Sequence, residues 1–105
     1  QVYTGFFDGS WRQSSGVSIS TNTWYNVVAT YNGSTLNWYI NNVAQTGFSY
    51  SSSSMTSSLQ YRVARRWDTY DTLDGYVPVV MVYNRALSAT EITLNYNYFR
   101  NRYGL

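Results

Sequence analysis

The chain has 105 residues, 44% of them hydrophobic and 19% aromatic, with seven basic and five acidic residues and a net charge of +2. That is one domain's worth of polypeptide, too weakly charged to gather nucleic acid through a long-range field. Without cysteine it has neither disulfides nor thiolate metal sites, and its longest apolar run, residues 77–83, is far shorter than the ~20 residues of a membrane helix. Charged residues make up only 11%, against ~25% in an ordinary domain, so Ser, Thr and Asn carry the solubility. Such a profile is common among extracellular and virion β-proteins.

In chain order, residues 1–7 and 16–20 read as short strands, with Asp8-Gly9 as a hairpin signal between them and Trp11 near the turn. Residues 24–31 (WYNVVATY) form a strand, with Val27 and Ala29 on one face and Trp24, Val28 and Thr30 on the other. Asn32-Gly33 is a two-residue turn signal, and Leu36, Trp38 and Ile40 then alternate with Asn37 and Tyr39, so residues 24–40 are a hairpin in which Trp24 and Trp38 belong to the core. Asn41-Asn42 is a second turn leading into a strand at 43–46. Residues 49–58 (SYSSSSMTSS) are low in complexity and read as a mobile loop, with a short edge strand as the alternative. A strand resumes at 59–63, and 67–73 is a loop.

The last third reads as strand, polar corner and capped helix. Val77, Val79 and Met81 alternate with Pro78, Val80 and Val82, and apolar residues at both sets of positions predict a strand covered on both faces. Asn84 and Arg85 end it. Ser88 stands three residues before Glu91, the spacing of a capping box. Ile92, Tyr96, Phe99 and Tyr103 then recur as one helical stripe, Arg100 and Arg102 suit the helix C-terminus, and Gly104 can close it in a left-handed turn.

This segment resembles the end of a laminin-G-like domain, one of the concanavalin-A-like lectin/glucanase sandwiches: a glycine-led strand from Gly75, then Tyr83-Asn84-Arg85-Ala86-Leu87-Ser88, then Glu91-Ile92. The hairpin extends the likeness through Trp24-Tyr25, Thr30-Tyr31, Asn32-Gly33 and Tyr39-Ile40-Asn41. Asn42 stands where the family usually has Gly, and Val63-Ala64-Arg65 where it usually shows Ile-Gly-Arg. The tail, Asn95-Tyr96-Asn97 and Arg102-Tyr103-Gly104-Leu105, is most similar to copies in bacteriophage structural proteins. The resemblance implies an all-β fold, an antiparallel jelly-roll-type β-sandwich with one short C-terminal α-helix. It covers residues 23–105, so the expectation is a single domain over 1–105 that lacks the N-terminal strands of the full fold. Gln1-Val2-Tyr3 carries neither an initiator Met nor a signal-peptide pattern, in keeping with a processed chain or a piece of a longer one.

Catalysis is not expected. Retaining glycoside hydrolysis requires two carboxylates ~5 Å apart, whereas the one Glu, Glu91, is accounted for by the capping box. There is no His, Cys or Lys to act as a base or nucleophile, and the Ser residues have no base partner. Asp68, Asp71 and Asp74 are the one candidate metal constellation; calcium prefers several hard oxygen ligands and some relatives bind it, although Asp74 also suits a turn before Gly75 and Asp68 an ion pair with Arg65 or Arg66. Arg62, Arg65 and Arg66 beside Trp67 suit either a sulfated glycan or a strand end paired with Asp68 or Asp71.

Candidate glycan contacts are Trp67, Tyr70, Asp71, Trp11 and Tyr76, because sugar C–H faces stack on aromatic rings while nearby carboxylates and amides fix hydroxyls. Two settings follow. One is a virion structural, decoration or tail-associated protein assembled with other subunits and touching host glycans. The other is a secreted or cell-surface carbohydrate-binding or adhesion module of a larger bacterial protein. Neither involves nucleic acid or a membrane span.

Overall fold

The computed structural model describes residues 1–51 and 73–105. Among these residues, five antiparallel strands make two sheets, followed by one C-terminal helix. The first sheet is a ribbon of β1 (Gly5–Phe7) and β2 (Trp11–Gln13), joined through the loop Asp8-Gly9-Ser10, so that Phe7 lies opposite Trp11. The sequence places the return strand later, at 16–20; there the structure shows a single bridge between Val2 and Val17.

The second sheet has the order β3 (Val27–Tyr31), β4 (Thr35–Ile40), β5 (Val43–Ser49). Its turns are local chemistry. Gly33, at φ 97°, and Ser34 occupy the centre of the first turn, one residue later than Asn32-Gly33, because the Asn32 carboxamide oxygen accepts from the Ser34 and Thr35 amides at 3.0 and 2.9 Å. Asn41 and Asn42, at φ 49° and 65°, form the two-residue turn between Ile40 and Val43. Positive φ at both central residues is the twist-matched hairpin geometry, which Asn tolerates without a glycine.

One face of this sheet holds the core. Leu36, Trp38 and Ile40 alternate inward along β4, and Tyr31 and Phe48 stand opposite Leu36 on the flanking strands. Phe6 comes down from the ribbon onto them, with ring centroids 4.9 Å from Tyr31 and 5.9 Å from Phe48. Trp38 is 1% exposed, and its indole N–H donates to the Thr46 carbonyl at 2.9 Å. That acceptor is free because β5 bulges between the partners of Leu36 and Trp38. A Cβ at Gly47 in the bulge would overlap the Leu36 carbonyl oxygen.

The helix α1 (Ala89–Tyr103) starts and stops where its caps dictate. The Ser88 hydroxyl accepts from the Glu91 amide at 3.3 Å, the Glu91 carboxylate accepts from the Ser88 amide at 2.9 Å, and Gly104 closes the helix at φ 65°. Ile92 is buried at 1% exposure and Tyr96, Phe99 and Tyr103 are half-buried, which is the expected stripe. The Thr93 hydroxyl donates to the Asn42 side chain at 3.0 Å, and Tyr103 packs on Trp24 at 5.5 Å. Trp24, expected in the core, is 41% exposed on that contact.

The expected strand at 77–82 is corrected. Residues 76–83 have neither helix nor ladder, and every one of them is exposed. Apolar side chains on both faces suit a covered strand, but a ladder requires neighbours, and the described residues supply none. Pro78 also removes one donor from any ladder.

Candidate functional site

The exposed end of the ribbon is the first place where chemistry concentrates. β1 and β2 bring Phe7 and Trp11 side by side at a centroid distance of 5.4 Å and an interplanar angle of 60°, and each is 58% exposed. Two aromatic rings held this way on a short, tight ribbon form a rigid apolar platform. Its rim is polar. Gly9, at φ 106°, lets the loop close, with the Ser10 amide donating to the Asp8 carboxylate at 3.2 Å. Below it the Arg12 guanidinium lies 3.4 Å from Asp8, donates to the Tyr50 hydroxyl at 2.9 Å and sits 4.1 Å from the centroid of that ring. Desolvation pushes the Asp8 carboxyl up, but the Tyr50 hydroxyl, the Ser10 amide and Arg12 outweigh it, and its pKa lies below the ordinary value. Asp8 thus pairs with Arg12, which ties the ribbon to Tyr50, just beyond the end of β5.

Trp11 was a candidate from sequence; Phe7 was missed. The signal was present in two aromatics four residues apart across a Gly-containing loop, which a tight hairpin places opposite each other as cross-strand neighbours. Trp67, Tyr70 and Asp71 of the glycan set, and Asp68 and Asp71 of the calcium set, lie outside the described residues. Asp74 and Tyr76 are both exposed, and both line a separate groove that Trp11 does not reach. The structure thus does not bring Trp11 and Tyr76 into one site. Among the described residues no three His, Cys, Asp or Glu side chains cluster as metal ligands.

The second feature is that groove, with a volume of ≈ 1730 Å³. One wall is β3 with Trp24, and the other is the segment from Leu73 to Tyr83.

The third is the corner before α1. Arg85 reaches Glu91 with both nitrogens, at 2.6 and 2.8 Å. Together with the Ser88 amide it holds the Glu91 carboxyl down from an ordinary 4.5 to about 2, with the Arg85 hydrogen bonds as the larger cause. Glu91 has four acceptor sites and spends three on Arg85 and Ser88. A carboxylate so held is a poor proton donor at neutral pH. Among the described residues no helix is long and apolar enough to cross a membrane.

Comparison with known proteins follows the same lines. The family model Laminin_G_3, described as the concanavalin A-like lectin/glucanases superfamily, matches residues 2–93. Among solved structures, the S-layer domain-containing protein of Clostridium thermocellum ATCC 27405 (residues 221–444) is similar at a TM-score of 0.56 and 22% identity. The likeness covers 84% of this chain and 46% of that one, so the chain spans less than half of its solved neighbour. No curated protein matches the sequence.

Proposed function

Because the chain belongs to the laminin-G-like family of the concanavalin A-like lectin/glucanase superfamily, we propose that it is a non-catalytic binding module of an extracellular surface, contacting glycan through the platform of Phe7 and Trp11. The carrying observation is that exposed aromatic pair. Two large rings held in water on a rigid ribbon fit the C–H face of a sugar, while Ser10 and Gln13 at the rim offer hydroxyl and amide partners. A non-catalytic role is supported by Glu91, the one glutamate, whose carboxylate is occupied by Arg85 and Ser88. Retaining hydrolysis would require a second carboxylate facing an acid that can give up its proton near neutrality.

The setting favoured is a bacterial cell surface, since the similar solved structure comes from an S-layer domain-containing protein. Decoration of a virion is the alternative setting for the same module and rests on the tail from Asn95 and on the Ser/Thr/Asn-rich, weakly charged composition. Calcium at Asp68, Asp71 and Asp74 is part of this reading on the strength of their hard oxygen ligands, tested by calorimetry with calcium and by melting with and without chelator.

A glycan array followed by calorimetry on the best polysaccharide tests the proposal. Trp11→Ala is expected to weaken binding at least ~10-fold with the melting temperature unchanged, in line with ~1 kcal/mol or more for a stacked aromatic. Binding that survives loss of both Phe7 and Trp11 would move the site elsewhere, and hydrolysis of the polysaccharide would overturn the non-catalytic reading.

A further inference from the structure

The ribbon runs on past the ends of β1 and β2. The Ser14 amide donates to the Thr4 carbonyl at 2.8 Å, and Val2 and Val17 exchange both of their backbone hydrogen bonds at 2.9 Å. Side chains therefore alternate along its whole length. Thr4, Phe6, Arg12 and Ser14 turn inward and are buried or half-buried, whereas Tyr3, Phe7, Trp11 and Gln13 are exposed on the other face.

Tyr3 thus brings a third ring to the face that holds Phe7 and Trp11. It is 51% exposed, and its hydroxyl donates to the Gln1 carboxamide oxygen at 2.6 Å. The ring lies over Gly16, where an added Cβ would come within 2.6 to 2.9 Å of its Cε1, Cζ and Oη atoms. Four residues separate Tyr3 from Phe7, which is ~13 Å at ~3.3 Å per strand residue. Between them Gly5 offers no side chain, and Gln13 stands opposite it. One line along the ribbon therefore carries a ring, an amide and a pair of rings.

We propose that the binding site is this whole face, and that its ligand is an uncharged linear oligosaccharide lying along the ribbon. One sugar stacks on Phe7 and Trp11, another on Tyr3, and the Gln13 carboxamide bonds the hydroxyls between them. The proposal rests on the reading of Phe7 and Trp11 as a glycan platform and adds a chain length and a charge to it. A single pyranose ring cannot touch both Tyr3 and the platform, whereas a chain of about three or more sugars can, given the ~13 Å between the two positions. A carboxamide donates and accepts, as sugar hydroxyls require. Within residues 1–17 the charged side chains are Asp8 and Arg12, and they pair with each other at 3.4 Å below the ribbon. A uronate or sulfate on the outer face would lose water without meeting a cation.

Calorimetry of the 105-residue chain tests the proposal, with linear gluco-, xylo-, manno- and N-acetylglucosamine oligosaccharides as probes, each from monosaccharide to hexasaccharide. Oligogalacturonates form the acidic set. In the series that binds, affinity is expected to rise at least ~10-fold between disaccharide and tetrasaccharide and then to level off, as a second stacked ring is gained. Tyr3→Ala is expected to abolish that rise while leaving disaccharide binding unchanged. Gly16→Ala, whose new methyl group displaces the Tyr3 ring, is expected to do the same. If Tyr3→Ala lowers the melting temperature, Gly16→Ala decides in its place.

Affinity that is flat from the disaccharide upward overturns the proposal, as does hexasaccharide binding indifferent to both variants. Either result confines the site to Phe7 and Trp11, whose role Trp11→Ala then upholds separately. Tighter binding of oligogalacturonates, or no binding of any neutral series, overturns it as well. Trp11→Ala without effect at any chain length removes the platform and its extension together.

Discussion

Residues 27–49 and residues 73–83 are both rich in Val, Tyr and other strand formers, yet only the first region is a sheet. In the first, each strand's partner is the next stretch of chain, delivered by a turn whose residues are chosen for it: Asn32 and Gly33, then Asn41 and Asn42. In the second, apolar residues stand at both sets of positions, but among the described residues no turn delivers a neighbour. The difference teaches that side-chain pattern states what a segment wants to bury, while pairing is decided by what lies beside it. The first region is therefore expected to carry the stability, and the second to contribute little to it.

The sharpest way to break that comparison is at Trp38. It is 1% exposed at the centre of β4 and holds the β5 bulge through its indole, so Trp38→Ala is expected to cost ~3–5 kcal/mol, enough to unfold a marginal domain. Urea denaturation measures it, and a cost under ~1 kcal/mol would mean the core lies elsewhere. Ile92→Ala comes next, at ~2–4 kcal/mol, because the helix buries that side chain as fully as the sheet buries Trp38.

Ser88→Ala removes one half of the capping box and is expected to cost ~1 kcal/mol. The other half is pH-dependent. Glu91 has a pKa lowered from an ordinary 4.5 to about 2, so the unfolded chain takes up the proton first as pH falls. Its contribution is complete above about 4.5 and is lost as pH falls towards about 2. Melting curves of the parent and of Glu91→Gln are expected to differ at pH 6 and to converge at pH 2; parallel curves throughout would show that Arg85 does not hold the carboxylate in solution.

How much of this was legible follows from what each residue needs. The hairpin from β3 to β4, the inward set Leu36, Trp38 and Ile40, and the capped helix are all read from local spacing, and all are present. The first turn is displaced by one residue because the Asn32 side chain, which pattern reading treats as a turn residue, instead caps the turn from outside. β2 was missed because WRQ has no strand pattern of its own; the loop Asp8-Gly9-Ser10 makes it a strand by bringing it beside β1. For the same reason the partnership of Phe7 with Trp11 is invisible until the loop length is known. The Arg85–Glu91 pair spans six residues across a corner, outside any helical spacing, and only the turn at 84–88 brings them together. The strand expected at 77–82 is the converse case: its apolar residues suit a covered strand, but among the described residues nothing pairs with them, and the segment is exposed coil.

The smallest expected effect tests the comparison from its other side. Val80 is 54% exposed and does not line the groove, so Val80→Ala removes two methyl groups that are already half in water. A packed strand valine would cost ~1–3 kcal/mol on such truncation, whereas a solvated one costs less than ~0.5. Placed beside Ala29 in β3, which is also exposed but sits in a ladder, Val80 isolates the effect of pairing from the effect of burial. Ala29→Gly is expected to weaken the fold by ~0.5–1 kcal/mol through strand entropy, while Val80→Gly, in a segment without a ladder, adds little beyond the lost methyls. Should Val80→Gly cost as much as Ala29→Gly, residues 76–83 would be strand in solution, and the distinction between the two regions would fall.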